Sequence, residues 1–122
     1  MKKIFILIFC LFAFNANAKE TTFKKELFDK AQAEGKVVIV SSWIKYCSSC
    51  ASQMKVLDKA KNDFDNIEYF AFDVTNKEIA ELFDVQYQTT LLIFKDKKLV
   101  YRSIGETTKD LIYKAIKSSI KI

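Results

Sequence analysis

The run KVVIVSS, residues 36–42, leads within a short stretch into Cys47-Ser48-Ser49-Cys50, and from Cys50 onward apolar residues recur at helical spacing. A continuous apolar run rich in β-branched residues reads as a strand covered on both faces. Cys50, Met54, Leu57, Ala60 and Phe64 step by threes and fours, which marks one face of a helix that starts near Cys47. A strand buried on both sides that passes directly into a helix is the first step of an alternating β/α order, which the remaining segments extend.

The remaining segments extend this pattern. TTFKKELFDKAQAEG reads as a first helix, with Thr22 as cap, Phe23, Leu27, Phe28 and Ala31 inward, and Gly35 as the stop. IEYFAFD, residues 67–73, is a second strand. Thr75-Asn76-Lys77-Glu78 has capping-box spacing and opens a helix with Ile79, Leu82 and Phe83 inward. LLIFK and LVYRSI, joined around Asp96 and Lys97, form a hairpin. After Gly105, Leu111, Ile112, Ala115, Ile116 and Ser119 line the buried side of a closing helix. The order α, β, α, β, α, β, β, α predicts one mixed central sheet with helices on both faces. A chain of 122 residues, half of them apolar, has room for one such core.

Residues 1–18, MKKIFILIFCLFAFNANA, pair two lysines with an apolar stretch from Ile4 to Phe14 and end in Ala16-Asn17-Ala18. This is the layout of a signal peptide cut after Ala18, leaving a domain over 19–122. The alternative is a retained membrane anchor, for which the stretch falls well short of the roughly twenty apolar residues a span requires. Cys10 leaves with the leader. The expected location is extracytoplasmic, a bacterial periplasm, with no stable membrane insertion after cleavage. The formal charge of +5 is interspersed along the chain and lacks a basic run with interleaved aromatics, so nucleic acid is not an expected partner.

The mature chain keeps two cysteines and has no histidine. In an oxidising compartment Cys47 and Cys50 can pair with each other. As a staple the pair is poor, since closing so small a loop constrains little of the unfolded chain. Redox chemistry explains it better. At the head of a helix the Cys47 sulfur faces unpaired N–H groups and the positive end of the dipole, which favours a thiolate. Cys50 begins the apolar stripe and is the less accessible. Cys47 is therefore the expected nucleophile and Cys50 the resolving thiol. Lys45 adds positive charge nearby, and Ser48 and Ser49 are expected to fill the turn rather than to bind the sulfur.

VVIVSSWIKYCSSC, FAFDVTN, FDVQYQTTLLIFKDKKLV and SIGETTKDL, in this order, resemble the landmarks of the thioredoxin family across nearly the whole mature chain. The early helix and DVTN are especially similar to the C-terminal thioredoxin-like domains of membrane thiol:disulfide interchange proteins. The resemblance implies a thioredoxin-like three-layer fold and dithiol–disulfide exchange with protein thiols and disulfides. It also implies Trp43 and Tyr46 flanking the site, and residues Gln88, Thr89 and Thr90 as the substrate-docking loop. The redox-active disulfide would be the sole prosthetic chemistry. A monomer is expected, served by a membrane electron donor or oxidant.

Two departures from the family stand out. Ser41 occupies the place of a buried acid that assists the resolving cysteine, so water, Lys45 or a hydroxyl must take the Cys50 proton. Thr89 stands where a cis-proline faces the dithiol; a cis bond there would cost roughly 3 to 4 kcal/mol, so a trans or adapted loop is expected. The Thr89 N–H then becomes a donor for a thiolate or a metal. Thr89→Pro is expected to keep the fold and to reduce metal binding by the reduced protein; the alternative is a rebuilt trans loop, which proline would strain. Lys45 and the missing acid argue for a more oxidising couple, whereas the resemblance favours a reductant or shuttle. The rival to exchange is metal binding: Cu(I) on the reduced pair with Met54 as a soft third ligand, or a metal bridging two chains. A closed zinc site within one chain lacks the ligands.

Overall fold

The computed structural model describes residues 21–122, so the leader assigned to residues 1–18 lies outside the described residues. Eight elements follow one another: α1 (Lys25–Ala33), β1 (Val37–Trp43), α2 (Ser48–Asp63), β2 (Ile67–Asp73), α3 (Lys77–Phe83), β3 (Thr90–Lys95), β4 (Lys98–Ile104) and α4 (Lys109–Ile120). The sheet order is β2-β1-β3-β4. β1 and β2 run parallel, with Val37 opposite Ile67 and Trp43 opposite Asp73. β1 with β3 and β3 with β4 run antiparallel.

Alternation along the strands divides the interior into two layers. Val37, Ile39, Tyr69, Leu91 and Ile93 meet Leu57 and Ala60 of α2 and Ile112 and Ile116 of α4. Val38, Val40, Phe70, Phe72 and Leu92 meet Phe28 and Ala31 of α1 and Phe83 of α3. The central strand β1 is thereby covered on both faces, and Val38, Ile39 and Val40 retain no exposure. Burying each such side chain contributes about 1.5 to 3 kcal/mol. In the second layer Phe28 meets Phe23, Phe83 and Phe94 at centroid separations of 5.6, 5.3 and 5.2 Å. The hairpin between β3 and β4 turns through Asp96 and Lys97, both left-handed at φ 52° and 67°. Paired positive φ values match the right-handed twist of the flanking strands.

Several local expectations need correction. Thr22 does not cap α1: it bridges to Ala71 beside β2, where the Phe23 N–H donates to Ala71 O at 3.0 Å. This added strand pairing delays the helix, and Lys24 holds the N-cap position without a side-chain bond. Thr75 does not cap α3 either. Its N–H and hydroxyl both donate to Asp73 Oδ1, at 2.9 and 2.7 Å, while Asn76 Oδ1 accepts from the Ile79 N–H at 3.3 Å. Leu82 and Leu111 are half-exposed, because each lies one residue, about 100° of helix, off the stripe that meets the sheet.

Beneath α2, Ser41 and Tyr69 form a buried hydroxyl pair, Oγ to Oη 3.0 Å. Burial raises the pKa of Tyr69 well above 10.0, with the Ser41 hydrogen bond opposing and Asp58 adding to the rise. The Tyr113 hydroxyl, which donates to Asp63 Oδ2 at 2.6 Å, is pushed up to about 12 by desolvation and that carboxylate. Folded pKa values above the unfolded one mean that this stability is complete below about pH 10 and is lost as pH rises towards the folded values. The denaturant midpoint is expected to fall above about pH 10 and to fall less steeply in Tyr69→Phe. An equally steep fall in that variant would assign the alkaline loss elsewhere.

Candidate active site

Trp43 ends β1, and its carbonyl accepts from the Val74 N–H at 2.8 Å, which completes the parallel pairing with β2. Tyr46 then takes a left-handed φ of 63° and turns its side chain fully into solvent. That conformation costs a non-glycine residue about 1 to 2 kcal/mol. It delivers Cys47, in extended conformation, to the N-cap of α2. Cys47 and Cys50 are joined by a disulfide with Cα atoms 5.3 Å apart. Cys47 Sγ accepts from the Cys50 N–H at 3.1 Å, so the sulfur itself caps the helix. The pair is asymmetric: Cys47 is partly exposed, whereas Cys50 retains 2 % exposure.

A shallow depression of about 710 Å³ opens over the disulfide, lined by Trp43, Ile44, Tyr46 and Met54 among others. Trp43 is half-buried at its wall, Ser48 lies exposed at its rim, and Lys45 is exposed between Ile44 and Tyr46 in the chain. Lys45 acts on the Asp73 carboxyl. Its charge adds to the two Thr75 hydrogen bonds that hold the Asp73 carboxyl below its ordinary value. Ser49 does more than fill the turn, since its Oγ lies 3.4 Å from Cys47 Sγ and 2.9 Å from Thr89 Oγ1.

The loop facing the disulfide is rebuilt around Thr89. Among the described residues no peptide bond is cis, and Thr89 adopts φ 60°. Its N–H donates to Ser42 O at 2.9 Å, so it is not the free donor expected for a thiolate or metal. The hydroxyl takes that position instead, with Thr89 Oγ1 3.2 Å from Cys50 Sγ and 3.6 Å from Cys47 Sγ. Thr90, buried beside it, donates its N–H to Ser42 Oγ at 3.0 Å and its hydroxyl to Tyr87 O at 2.7 Å. Gln88 is exposed.

Residues 16–118 match the family model described as Thioredoxin. The chain belongs to the thioredoxin family. A thioredoxin of Chlamydia trachomatis is 29% identical over 93 residues, which cover 75% of this chain and 90% of that protein. The H-type thioredoxin of Fagopyrum esculentum is 26% identical over 90 residues, 73% of this chain and 78% of its own length. Among solved structures, Trxlp from Edwardsiella tarda superposes with a TM-score of 0.70 at 27% identity, covering 76% of this chain and 93% of the other. The mixed sheet with helices on both faces is thus a thioredoxin-like fold, and the protein is a thiol–disulfide oxidoreductase with two residues between its cysteines.

Within this thioredoxin-family site, two residues went unnoticed in the sequence. Ser42 ties β1 to the Thr89 loop, its hydroxyl donating to Tyr87 O at 2.8 Å. Gln53, with no exposure, donates through Nε2 to Thr89 O at 3.2 Å and Glu106 O at 2.9 Å. Its Oε1 has no hydrogen-bond partner, a cost borne to hold two carbonyls. The clue was present: a polar residue one turn after Cys50 on the inward face of α2. Gln53→Leu leaves the Glu106 carbonyl without this donor and is expected to lower stability by about 1 to 3 kcal/mol. An unchanged denaturation midpoint would show that these carbonyls find other donors. Among the described residues, no three His, Cys, Asp or Glu side chains gather into a metal-binding group.

Proposed function

We propose that this thioredoxin-family protein exchanges disulfides with protein substrates in an extracytoplasmic compartment, with Cys47 attacking and Cys50 resolving, and that it works as a reductant or shuttle. The asymmetry of the disulfide carries the reading: the partly exposed sulfur caps α2, and the buried one lies behind it. In the reduced protein the Cys47 thiolate attacks a substrate disulfide, forms a mixed disulfide and releases one substrate thiolate. Cys50 then attacks Cys47 Sγ, closes the internal disulfide and releases the second. Two electrons pass to the substrate, and no cofactor beyond the dithiol is required.

Trp43 and Tyr46 line the depression over the exposed sulfur and supply the surface for a substrate chain, with the loop of Gln88, Thr89 and Thr90 as its other wall. A membrane electron donor would return the disulfide to the dithiol. The apolar segment from Ile4 to Phe14 followed by Ala16-Asn17-Ala18 supports export to a periplasm.

Equilibration of the purified domain with mixtures of reduced and oxidised glutathione tests the direction. A reductant settles near the thioredoxin range, about −270 mV, and a dedicated oxidant near −120 mV. A value at the oxidising end would overturn the reductant assignment. Mass measurement of the protein recovered from the periplasm of an expressing bacterium tests export, with a chain beginning at Lys19 expected and a full-length cytosolic chain counting against it.

A further inference from the structure

We propose that the hydroxyls of Thr89 and Ser49 form a proton relay between Cys50 and solvent, taking the part for which Ser41 is unsuited. The inference rests on the assignment of Cys50 as the resolving thiol. Resolution requires that a thiol with 2 % exposure lose its proton, and the chain has no histidine to receive it. Ser41 is fully buried with its hydroxyl engaged by Tyr69. Tyr69 is fully buried as well, so that pair offers no route to solvent.

A continuous path runs the other way. Thr89 Oγ1 lies 3.2 Å from Cys50 Sγ, and Ser49 Oγ lies 2.9 Å further on, in the exposed first turn of α2. A hydroxyl both donates and accepts, so each can take one proton while giving up another. In the mixed-disulfide state the Cys50 S–H donates to Thr89 Oγ1, Thr89 donates to Ser49 Oγ, and Ser49 donates to water. As Cys50 Sγ forms its bond to Cys47 Sγ, its proton moves to Thr89, the Thr89 proton to Ser49 and the Ser49 proton to a water or buffer base. The substrate sulfur leaves with the electron pair of the broken bond. In the oxidised protein the same bonds reverse, Ser49 donating to Thr89 and Thr89 to Cys50 Sγ.

The surroundings hold this geometry. Three backbone bonds fix Thr89: its N–H to Ser42 O at 2.9 Å, and its carbonyl accepting from the Gly105 N–H at 2.9 Å and from Gln53 Nε2 at 3.2 Å. The left-handed φ of 60° is unfavourable for a β-branched residue and persists because these bonds over-determine it. Thr89 touches both reacting sulfurs and is therefore catalytic in this scheme.

The test uses the reduced protein and a symmetric nitrobenzoate disulfide, whose two coloured thiolates are released one after the other. The first release reports attack by Cys47, and the second reports resolution by Cys50. Thr89→Val is expected to slow the second release on the order of 10²-fold near neutral pH, the usual contribution of a positioned proton acceptor. Thr89→Ser restores it. The deficit should close as pH rises and the Cys50 thiol ionises directly to solvent. Ser49→Ala, at an exposed position that does not threaten the fold, should slow the same step and be corrected the same way by pH. An unchanged second release in Ser49→Ala, a Thr89→Val deficit that is equal at every pH, or failure of Thr89→Ser to restore the rate would overturn the relay. Failure of the cysteine roles looks different, because the second release would then survive in Cys50→Ser.

Discussion

Cys50→Ser is expected to accumulate mixed disulfides with substrate proteins through Cys47, and Cys47→Ser to accumulate none. Both substitutions should lower turnover on a protein disulfide by orders of magnitude, as removal of one member of a catalytic unit does. Their trapped products should differ because the two sulfurs are placed differently. Cys47 is partly exposed beneath the depression walled by Trp43 and Tyr46, within reach of a substrate disulfide. Cys50 is enclosed by α2 and the Thr89 loop, where a second sulfur can reach it only from Cys47. Non-reducing electrophoresis of thiol-blocked extracts, repeated after reduction, reads the outcome. Equal trapping by the two variants would exchange or abolish the assigned roles.

Thr89→Pro is expected to destabilise the protein by about 3 kcal/mol or more, although the family carries proline at this position. The proline ring requires φ near −65°, whereas Thr89 holds 60°, and proline has no N–H for the bond that Thr89 makes to Ser42 O. The expectation that proline would leave the fold intact therefore gives way to its alternative, a rebuilt loop. Thr89→Gly and Thr89→Ala isolate the backbone part of this effect. Both remove the hydroxyl, yet only glycine adopts the left-handed region freely, so the glycine variant should be the more stable by about 1 kcal/mol. Denaturant midpoints of the three variants provide the measurement. A proline variant as stable as the parent, or alanine equal to glycine, would mean that the loop adopts another backbone in solution.

Most of the architecture was legible because burial imposes periodicity. The run from Val37 to Val40 has the length and β-branched character of a doubly covered strand, and the stripe from Cys50 through Leu57 and Ala60 marks a helix packed on it. The expectations that failed were those in which two local options lay close in energy. Thr22 had both a helix to cap and a strand to join, and the Ala71 backbone supplied the stronger set of bonds. Thr75 met the Asp73 carboxylate, which takes both its N–H and its hydroxyl, and Asn76 was left to cap the helix. Leu82 and Leu111 were misassigned because a stripe only one residue wide separates the buried from the half-exposed face of a short helix.

The site divides along the same line. The strand, the dithiol and the helix that follows are contiguous in the chain, so sequence alone determined the fold class, the cysteine pair and the greater burial of Cys50. It also revealed that Ser41 and Thr89 depart from the family pattern, since a missing acid and a missing proline are visible as letters. What replaces them was decided only by tertiary structure. Thr89 and Ser49 are 40 positions apart, and Gln53 and Glu106 are 53 apart. Their meeting depends on the order in which β1 and β3 pair and on α2 lying across them, and no local propensity encodes that. The left-handed backbone at Thr89 has the same origin: the chain itself disfavours it, and the bonds from Ser42, Gln53 and Gly105 impose it because leaving those buried groups unpaired would cost more.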